Sequence, residues 1–365
     1  MDKEAAKECR IAEMLICNGK IGRRSRKMNQ VFSKIRSEIS PDIVFDLGAT
    51  TTRMYVREQG VILEMPSVIE VEKESRRVVA VGGREVAAPT SEVEVIHPFE
   101  GDIAANVDAA AELIRFCVDP VLPRQTWRRS FKPRAVIAVP SGFSDEENHV
   151  VERIAERAGL GDVSLINSVL AAAIGVGLPF VEPKGCMIVN VGSAWCEAAV
   201  ISSAGIVHSG YARCGGADLD AAIVDYLRRA YGLSVNASEG ERVKRMIGTA
   251  QPMGPKMRVG VRGHDVETGR EKDMMVASEE VQRVLAPVVS VFVDTVRKVL
   301  AQCDSGLLAD IGELGIVLSG GGSQLLGLGE LLEREVGLPI AYAFEPESAI
   351  INGVGFLVDG IDRIA

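Results

Sequence analysis

The sequence has 365 residues, of which 47% are apolar and 25% charged, so it is long enough for two domains and excludes a disordered or fibrous protein. Its net charge of -9 disfavours nucleic-acid binding, which usually needs a basic face, and we expect no nucleic-acid partner. No apolar run is long enough to cross a bilayer, and seven cysteines without a C-x-x-C pair indicate reduced thiols in the cytoplasm.

Residues 1–40 form a basic and amphipathic extension that differs from the rest of the sequence. A run of arginines precedes a stretch in which Val31, Phe32 and Ile35 recur at helical spacing. A basic amphipathic helix can lie on an anionic membrane surface, so these three residues are candidate membrane contacts. The alternative is a tail whose few apolar residues dock on the protein body.

The first half alternates strands and helices. A strand in "DIVFDLGATTTRMYV" turns at Gly48, and "PRAVIAVPSG" has the apolar run of a buried strand. The segment "SDEENHVVERIAERAG" predicts a helix with a capping box formed by Ser144 and Glu147, ended by Gly159.

The second half repeats this alternation. It begins with the hairpin "IVNVGSAWCEAAVIS" and continues with a helix from about residue 218 to 231. A strand–turn–strand pattern centred on Thr268 and a long helix over about 278–303 follow, and then a strand, a triple glycine and a helix. Strands interleaved with helices predict an α/β fold.

A short internal repeat predicts the architecture. Asp46 and Gly48 lie 144 residues before Asn190 and Gly192, and each pair opens one half of the chain with a strand, a glycine turn and a strand. Read as a duplication, this repeat predicts two similar α/β domains whose first hairpins face a common nucleotide cleft.

Three glycine turns are candidate phosphate-binding sites. In the first hairpin Gly48 permits close backbone approach, a threonine run can donate to phosphate oxygens, and Asp46 can hold a hydrated Mg2+. The threonines are Thr50, Thr51 and Thr52. The triple glycine Gly320, Gly321 and Gly322 follows an apolar strand and is predicted to open a helix, so its amides would point at an anion. Gly215 and Gly216 form a third turn of this kind.

Several motifs in one order resemble the MreB family of bacterial actin-like proteins, in the actin and Hsp70 ATPase superfamily. The similarity runs from about residue 42 to the C-terminus and includes "DLGATTTRMYV", "VIHPFEGDIA", "KPRAVIAVPSG", "ADIGELGIVLSGGGSQLLGL" and "EPESAIINGVG". The resemblance implies an actin-like, ribonuclease H-like duplicated fold with two domains around an adenine nucleotide. It also implies filaments on the inner face of the cell membrane and a role in cell-wall synthesis.

The resemblance also implies domain bounds and site residues. Domain I would comprise 41–165 and 340–365, with a small subdomain near 60–105, and domain II would comprise 166–339, with a small subdomain near 215–275. ATP or ADP with Mg2+ would be held by the phosphate loops and by Glu241 and Lys244 on the ribose and adenine side. Gly192 is what remains of the second phosphate loop, and Trp127 lies where relatives carry an apolar membrane-facing loop.

The departures from the family pattern fall where the reaction should occur. The second hairpin has Asn190 in place of an aspartate and Trp195 in place of a phosphate-binding threonine. The segment with Asn167 and Ser168 replaces the one that holds the water-positioning glutamate, so we expect no catalytic residue here. Phosphoryl transfer depends on positioning water and neutralising charge. We therefore expect nucleotide binding with weak or absent hydrolysis.

Three further functions are alternatives. The chain is expected to assemble with itself, or with an active MreB paralogue that it regulates, and to contact cell-wall morphogenesis proteins and the membrane surface from the cytoplasm. A sugar or acetate kinase of the same superfamily would need an aspartate base, whereas the corresponding segment "INSVLAAAIGVG" is mostly apolar. A chaperone of the Hsp70 type would need a substrate-binding domain after the ATPase body.

Overall fold

The chain divides into two compact units. The computed structural model describes residues 42–83, 92–101, 103–121, 132–252 and 254–360. Unit 1 joins Met1–Gly177 with Ser348–Ala365, and unit 2 is the continuous stretch Leu178–Glu347. The polypeptide therefore passes from one unit to the other twice.

A five-stranded sheet forms the centre of unit 1. Its strands are β1 (Ile43–Leu47), β2 (Thr51–Val56), β3 (Gly60–Pro66), β7 (Ala135–Val139) and β8 (Val163–Asn167). They lie in the order β3-β2-β1-β7-β8, with β1 antiparallel to β2 and parallel to β7. Ile43, Val44 and Phe45 of β1 are fully buried, because a central strand with a parallel neighbour is covered on both faces.

A small sheet and four helices complete the described part of unit 1. The strands β4 (Ile69–Glu72), β5 (Val78–Val81) and β6 (Val93–Ile96) form a sheet in the order β5-β4-β6. A 3-10 turn, Ile103–Asn106, leads into the helices. These are α1 (Val107–Val118), α2 (Asp145–Ala158), α3 (Ser168–Gly175) and, from the C-terminal stretch, α9 (Ala349–Gly360).

Helix α2 confirms the capping signals read from its sequence. The Glu147 amide donates to Ser144 Oγ at 3.2 Å, and the Ser144 amide donates to Glu147 Oε2 at 2.9 Å. At the other end Gly159 adopts a φ of 95°, the left-handed conformation that favours glycine. An N-cap of this kind contributes about 1 kcal/mol.

Unit 2 is built on a second five-stranded sheet of the same design. Its strands are β9 (Cys186–Val191), β10 (Cys196–Ser202), β11 (Gly205–Ala212), β15 (Ile316–Ser319) and β16 (Ile340–Tyr342). The order is β11-β10-β9-β15-β16, with β9 antiparallel to β10 and parallel to β15. Each sheet thus begins with an antiparallel hairpin and adds parallel strands on its other side, which confirms the predicted duplication.

Helices and a small sheet surround this second core. The helices are α4 (Gly216–Tyr231), α5 (Ala237–Ile247), α6 (Ser278–Leu300), α7 (Ser305–Leu314) and α8 (Leu328–Val336). The small sheet runs β12 (Leu233–Ser234), β13 (Arg258–Asp265), β14 (Glu271–Ala277). Helix α6 confirms the predicted long helix and buries Val281, Leu285, Phe292 and Val296 against the unit's core.

The sequence predicted that the triple glycine opens a helix, and this prediction is wrong. Gly321–Gln324 form a 3-10 turn, and α8 begins only at Leu328, after Gly327 in the left-handed conformation with a φ of 80°. The left-handed residue reverses the backbone direction, so the two elements cannot be continuous.

The units divide later in the chain than the predicted domain bounds of 165/166 and 339/340. Helix α3 belongs to unit 1 because it crosses α9 at two glycines, Gly175 and Gly353. A Cβ at Gly353 would overlap the Ala171 carbonyl oxygen, and one at Gly175 would overlap the Ala349 carbonyl oxygen. This approach leaves no room for any side chain, so the helices cross backbone to backbone.

Within the described residues no helix is long and apolar enough to cross a membrane. The described cysteines, Cys117, Cys186, Cys196, Cys214 and Cys303, are free thiols. Burial raises the pKa of the Cys117 thiol to about 12, which keeps it protonated and unreactive at neutral pH.

Candidate functional site

The first hairpin of each unit has the same backbone geometry. The Gly48 amide donates to the Thr51 carbonyl at 3.1 Å, and the Gly192 amide donates to the Trp195 carbonyl at 2.8 Å. Leu47 pairs with Thr52 in the first hairpin, and the corresponding pair in the second is again offset by 144 residues. The two turns are therefore equivalent, and any difference in their chemistry lies in their side chains.

The threonines of the first turn have different surroundings. Thr52 is fully buried, and its hydroxyl lies 2.7 Å from Ser67 Oγ, which itself donates to the Gly48 carbonyl at 2.6 Å. Because Ser67 has a single hydroxyl proton, Thr52 donates its own proton to Ser67 and has none left for a phosphate oxygen. Thr50 is exposed, and the Thr51 hydroxyl makes no hydrogen bond with the described residues.

A buried arginine lies beside the first turn, and the sequence reasoning missed it. Arg53 is 8% exposed and faces Asp46 across the strand pair, with Nη1 3.8 Å from Asp46 Oδ2. Its Nε also donates to Glu64 Oε2 on β3 at 3.2 Å. Arg53 is the charged residue in the strand "TTRMYV", and that break in an apolar pattern is the signal that could have found it. The arrangement neutralises Asp46.

Asn167 is a helix cap. Its side-chain oxygen accepts the Val169 amide at 3.1 Å and the Leu170 amide at 3.4 Å, at the start of α3. Ser168 is buried at 5% exposure. An amide has no ionisable carboxyl group, so Asn167 stabilises the helix and supplies no base.

Asn190 lies at the end of β9 beside the glycine turn of β15. It is 4% exposed, and its Oδ1 has no hydrogen-bond partner among the described residues. A Cβ placed on Gly320 would lie 2.8 Å from this oxygen, so Oδ1 points at the Gly320 backbone. Glu197, paired with Asn190 across the hairpin, is also buried, at 2% exposure.

The triple glycine is required by its approach to β9. Gly320 has a φ of 82°, and a Cβ there would overlap the Val191 carbonyl oxygen. A Cβ on Gly322 would lie 2.6 Å from Val191 Cγ1. The Gly321 side of the turn is exposed, and the first amides of a 3-10 turn have no acceptor within it. Gly321 and Gly322 are thus the backbone donors that this turn offers.

The backbone amides of Gly215 and Gly216 are hydrogen-bonded within unit 2 and are not available to a ligand. The Gly216 amide donates to the Gly192 carbonyl at 2.9 Å, and the Gly215 amide donates to Asp218 Oδ2 at 2.7 Å. A Cβ on Gly215 would lie 2.6 Å from the Gly192 carbonyl oxygen. The glycine pair therefore lets the start of α4 dock on the turn, and both amides already have acceptors.

Lys244 and Glu241 lie on α5, where they are engaged with other side chains. Lys244 Nζ donates to Asp220 Oδ2 at 2.9 Å and to the Gly216 carbonyl at 3.0 Å. Burial raises the pKa of the Asp220 carboxyl, and the bond from Lys244 offsets part of that rise. Glu241, one helical turn from Arg245, pairs with it at 2.9 Å.

Trp195 packs along the sheet. Its ring centroid lies 5.8 Å from that of Tyr211 on β11, and the Arg213 guanidinium lies 4.7 Å from the indole centroid. Stacking of this kind orients the ring toward the β11 side of the hairpin. The resemblance to the family implies that Trp195 stands in place of a phosphate-binding threonine.

The predicted residues form one group in each unit. In unit 1 they share the first hairpin, around Gly48. In unit 2 the Gly192 carbonyl oxygen lies beside two of the glycine turns. It accepts the Gly216 amide, and it lies 3.3 Å from a Cβ built on Gly322. The predicted membrane contacts Val31, Phe32, Ile35 and Trp127 lie outside the described residues.

Three solved structures have the same fold. MreB5 of Spiroplasma citri bound to ADP is 25% identical, with a TM-score of 0.78 over 87% of this chain and 96% of that chain. Its complex with AMPPNP, also 25% identical, has a TM-score of 0.81 over 89% of this chain and 97% of that one. A MamK double helical filament, 16% identical, has a TM-score of 0.71 over 87% of this chain and 99% of that one. The fold is therefore actin-like.

Sequence comparison identifies the family. The chain is 33% identical over 339 residues to the cell shape-determining protein MreB of Escherichia coli (strain K12), covering 91% of this chain and 97% of that protein. It is 29% identical over 326 residues to the cell shape-determining protein Mbl of Bacillus subtilis (strain 168), covering 88% and 97%. The family model "MreB/Mbl protein" matches residues 40–365. The chain belongs to the MreB/Mbl family.

Proposed function

We propose that this chain is a filament-forming, cell shape-determining protein that binds ATP or ADP and hydrolyses ATP weakly or not at all. The names of its MreB and Mbl relatives support the role in cell shape. The MreB5 structures with ADP and AMPPNP support nucleotide binding. The phosphate-facing groups would be the Thr51 hydroxyl in unit 1 and the Gly321 and Gly322 amides in unit 2.

The capping role of Asn167 is the observation that supports loss of hydrolysis. Asn167 and Ser168 belong to the segment expected to replace the one with the water-positioning glutamate, and the Asn167 side-chain oxygen already accepts two helix amides. It has no proton affinity near neutral pH with which to activate water. At the second hairpin, Asn190 stands in place of a second carboxylate. Losing one such group typically costs on the order of 100- to 1,000-fold in rate.

A combined binding and hydrolysis measurement tests the nucleotide proposal. Purified full-length protein is titrated with a fluorescent ATP analogue, and phosphate release is followed in the same samples. We expect saturable binding with phosphate release at the buffer baseline, and added apyrase provides the positive control for detection. Steady turnover as fast as that of an active MreB assayed in parallel would overturn the proposal of weak or absent hydrolysis, and absence of binding would overturn the proposal of nucleotide binding.

Assembly is tested separately, by sedimentation and negative-stain electron microscopy with ATP, with ADP and without nucleotide. We expect filaments that do not disassemble with time, because without hydrolysis the bound nucleotide does not change. If the chain forms no filament alone but enters the pellet with an active MreB, it is a co-assembling regulatory paralogue instead.

The proposed site of action is the inner face of the cell membrane. Its support is the amphipathic pattern of Val31, Phe32 and Ile35 after a basic run, in residues outside the described part. Co-sedimentation with anionic vesicles should be lost in the variant Phe32→Asp and lowered by salt. Unchanged vesicle binding in that variant would overturn the assignment.

A further inference from the structure

The nucleotide of this superfamily is expected with Mg2+, and the side chains of the two hairpins determine whether this chain can hold that ion. Mg2+ takes hard oxygen ligands and is bound in proteins chiefly by carboxylates and water. The equivalent positions at the ends of the two central strands are Asp46 and Asn190. Among the described residues no group of three or more His, Cys, Asp or Glu side chains is arranged to hold a metal.

The second hairpin does not fit the ion. Asn190 has one oxygen that could ligate a cation, and that oxygen is buried against the Gly320 backbone. The amide nitrogen is a hydrogen-bond donor and cannot bind a cation. Glu197, which pairs with Asn190 across the hairpin, carries a carboxylate, but its 2% exposure leaves no room for a hydrated ion beside it.

The first hairpin does not fit it well either. Asp46 retains its carboxylate, but Arg53 lies 3.8 Å away with 9% of its side chain exposed. A buried guanidinium repels a divalent cation strongly, because the surroundings screen the charges less than water does. Arg53 cannot move aside without breaking its hydrogen bonds of 3.2 Å and 3.3 Å to Glu64. The second hairpin thus lacks a carboxylate at Asn190, and in the first hairpin Arg53 offsets the charge of the Asp46 carboxylate.

We infer that nucleotide binding by this chain does not depend on Mg2+, an inference that rests on the nucleotide binding proposed above. At the first hairpin Arg53 offsets the charge of Asp46, so this carboxylate repels phosphate less without an ion between them. At the second hairpin the neutral Asn190 removes a carboxylate that would repel a metal-free triphosphate. Arg53 and Asn190 act on the local charge in the same direction, since each favours an anion over a cation.

Nucleotide affinity with and without the metal tests this inference. The fluorescent ATP analogue is titrated into full-length protein in EDTA and, in parallel, in excess Mg2+ at matched ionic strength. We expect dissociation constants that agree within about threefold, a difference of less than one kcal/mol. Thermal denaturation of the nucleotide-free protein should also be unchanged by Mg2+.

Variants test whether Arg53 and Asn190 cause the Mg2+ independence of nucleotide binding. The double variant Asn190→Asp with Arg53→Met restores one carboxylate and frees the other, and we expect Mg2+ to strengthen its nucleotide binding by about tenfold or more. Each single variant is measured too, since Asn190→Asp places a charge beside Glu197 and Arg53→Met leaves Asp46 without its arginine. The control Arg262→Met removes an exposed arginine that pairs with Asp273 in unit 2, keeps both Arg53 and Asn190, and should behave like the wild type. Circular dichroism melts confirm that each variant is folded.

Each outcome decides between the proposals. Wild-type affinity that rises tenfold or more in Mg2+ overturns this inference and leaves nucleotide binding intact. No binding in either buffer overturns both. A Mg2+-independent wild type whose folded variants gain no Mg2+ dependence overturns the assignment to Arg53 and Asn190.

Discussion

Two neighbouring threonines on the first hairpin have different roles, one in stabilising the turn and one, in the proposed function, in binding a ligand. In a strand, successive side chains point to opposite faces, so Thr51 and Thr52 meet different environments. The Thr52 hydroxyl donates to Ser67 and links β2 to the turn, whereas the Thr51 hydroxyl has no partner among the described residues. A run of three threonines in the sequence therefore holds at least two different roles.

The matched variants Thr52→Val and Thr51→Val test this difference. Thr52→Val removes a buried hydrogen bond, so we expect the free energy of unfolding to fall by about 1 kcal/mol with nucleotide affinity unchanged. Thr51→Val should leave stability unchanged and weaken nucleotide binding by about threefold to tenfold. Urea denaturation and the fluorescence titration give the two quantities. The opposite pattern would contradict the roles assigned to the two hydroxyls.

Among the elements, helices α3 and α9 have the closest packing. Their crossing depends on Gly175 and Gly353, where any Cβ would overlap backbone of the other helix. Glycine destabilises a helix by roughly 1 kcal/mol relative to alanine. At these two positions that loss accompanies a close approach of the two helix backbones. The gain is burial of the apolar face of α9, with Ile351 and Val354 fully buried.

We therefore expect Gly353→Ala to destabilise the protein even though alanine is the better helix former. Overpacking costs typically 1–3 kcal/mol, and backbone overlap here should bring the loss to about 3 kcal/mol or prevent folding. Gly360→Ala is the matched control, because a Cβ at Gly360 meets nothing within 4 Å. Chemical denaturation and soluble yield measure the effect. Equal stability of the two variants would refute the crossing as described.

At the scale of the whole molecule, the two units differ in chain continuity. Unit 2 is a single stretch with its own sheet, small sheet and apolar core. Unit 1 is interrupted, because α9 returns from the C-terminal end to pack on α3, β1 and β2. Folding of unit 1 thus needs residues that lie about 170 positions later in the chain, a long loop to close.

This asymmetry predicts the behaviour of fragments. The fragment 178–347 should unfold cooperatively on heating. The fragment 42–177 should not, since it lacks Ile351, Val354, Leu357 and Val358. Burying such side chains contributes about 1.5–3 kcal/mol each, which together approaches the total stability of a domain. Adding a peptide of residues 348–360 should restore part of the transition, as measured by circular dichroism. A cooperative transition of 42–177 alone would contradict the prediction.

The sequence by itself determined what depends on local pattern. Helix α2 with its capping box, the long helix α6 and the two hairpins offset by 144 residues follow from periodicity, caps and glycine turns. The family motifs identified the actin-like fold, and the replacement of carboxylates by Asn167 and Asn190 was visible in the residues alone.

Only the tertiary structure decided which of the candidate groups remain free. The pairing of Arg53 with Asp46, the docking of Gly216 on Gly192 and the bond from Lys244 to Asp220 join residues on different elements. Their distances depend on register and helix packing, which local pattern does not specify. A hydrogen-bonding group can bind a ligand only if no neighbour has already satisfied it, and in a folded chain most such neighbours come from distant positions in the sequence.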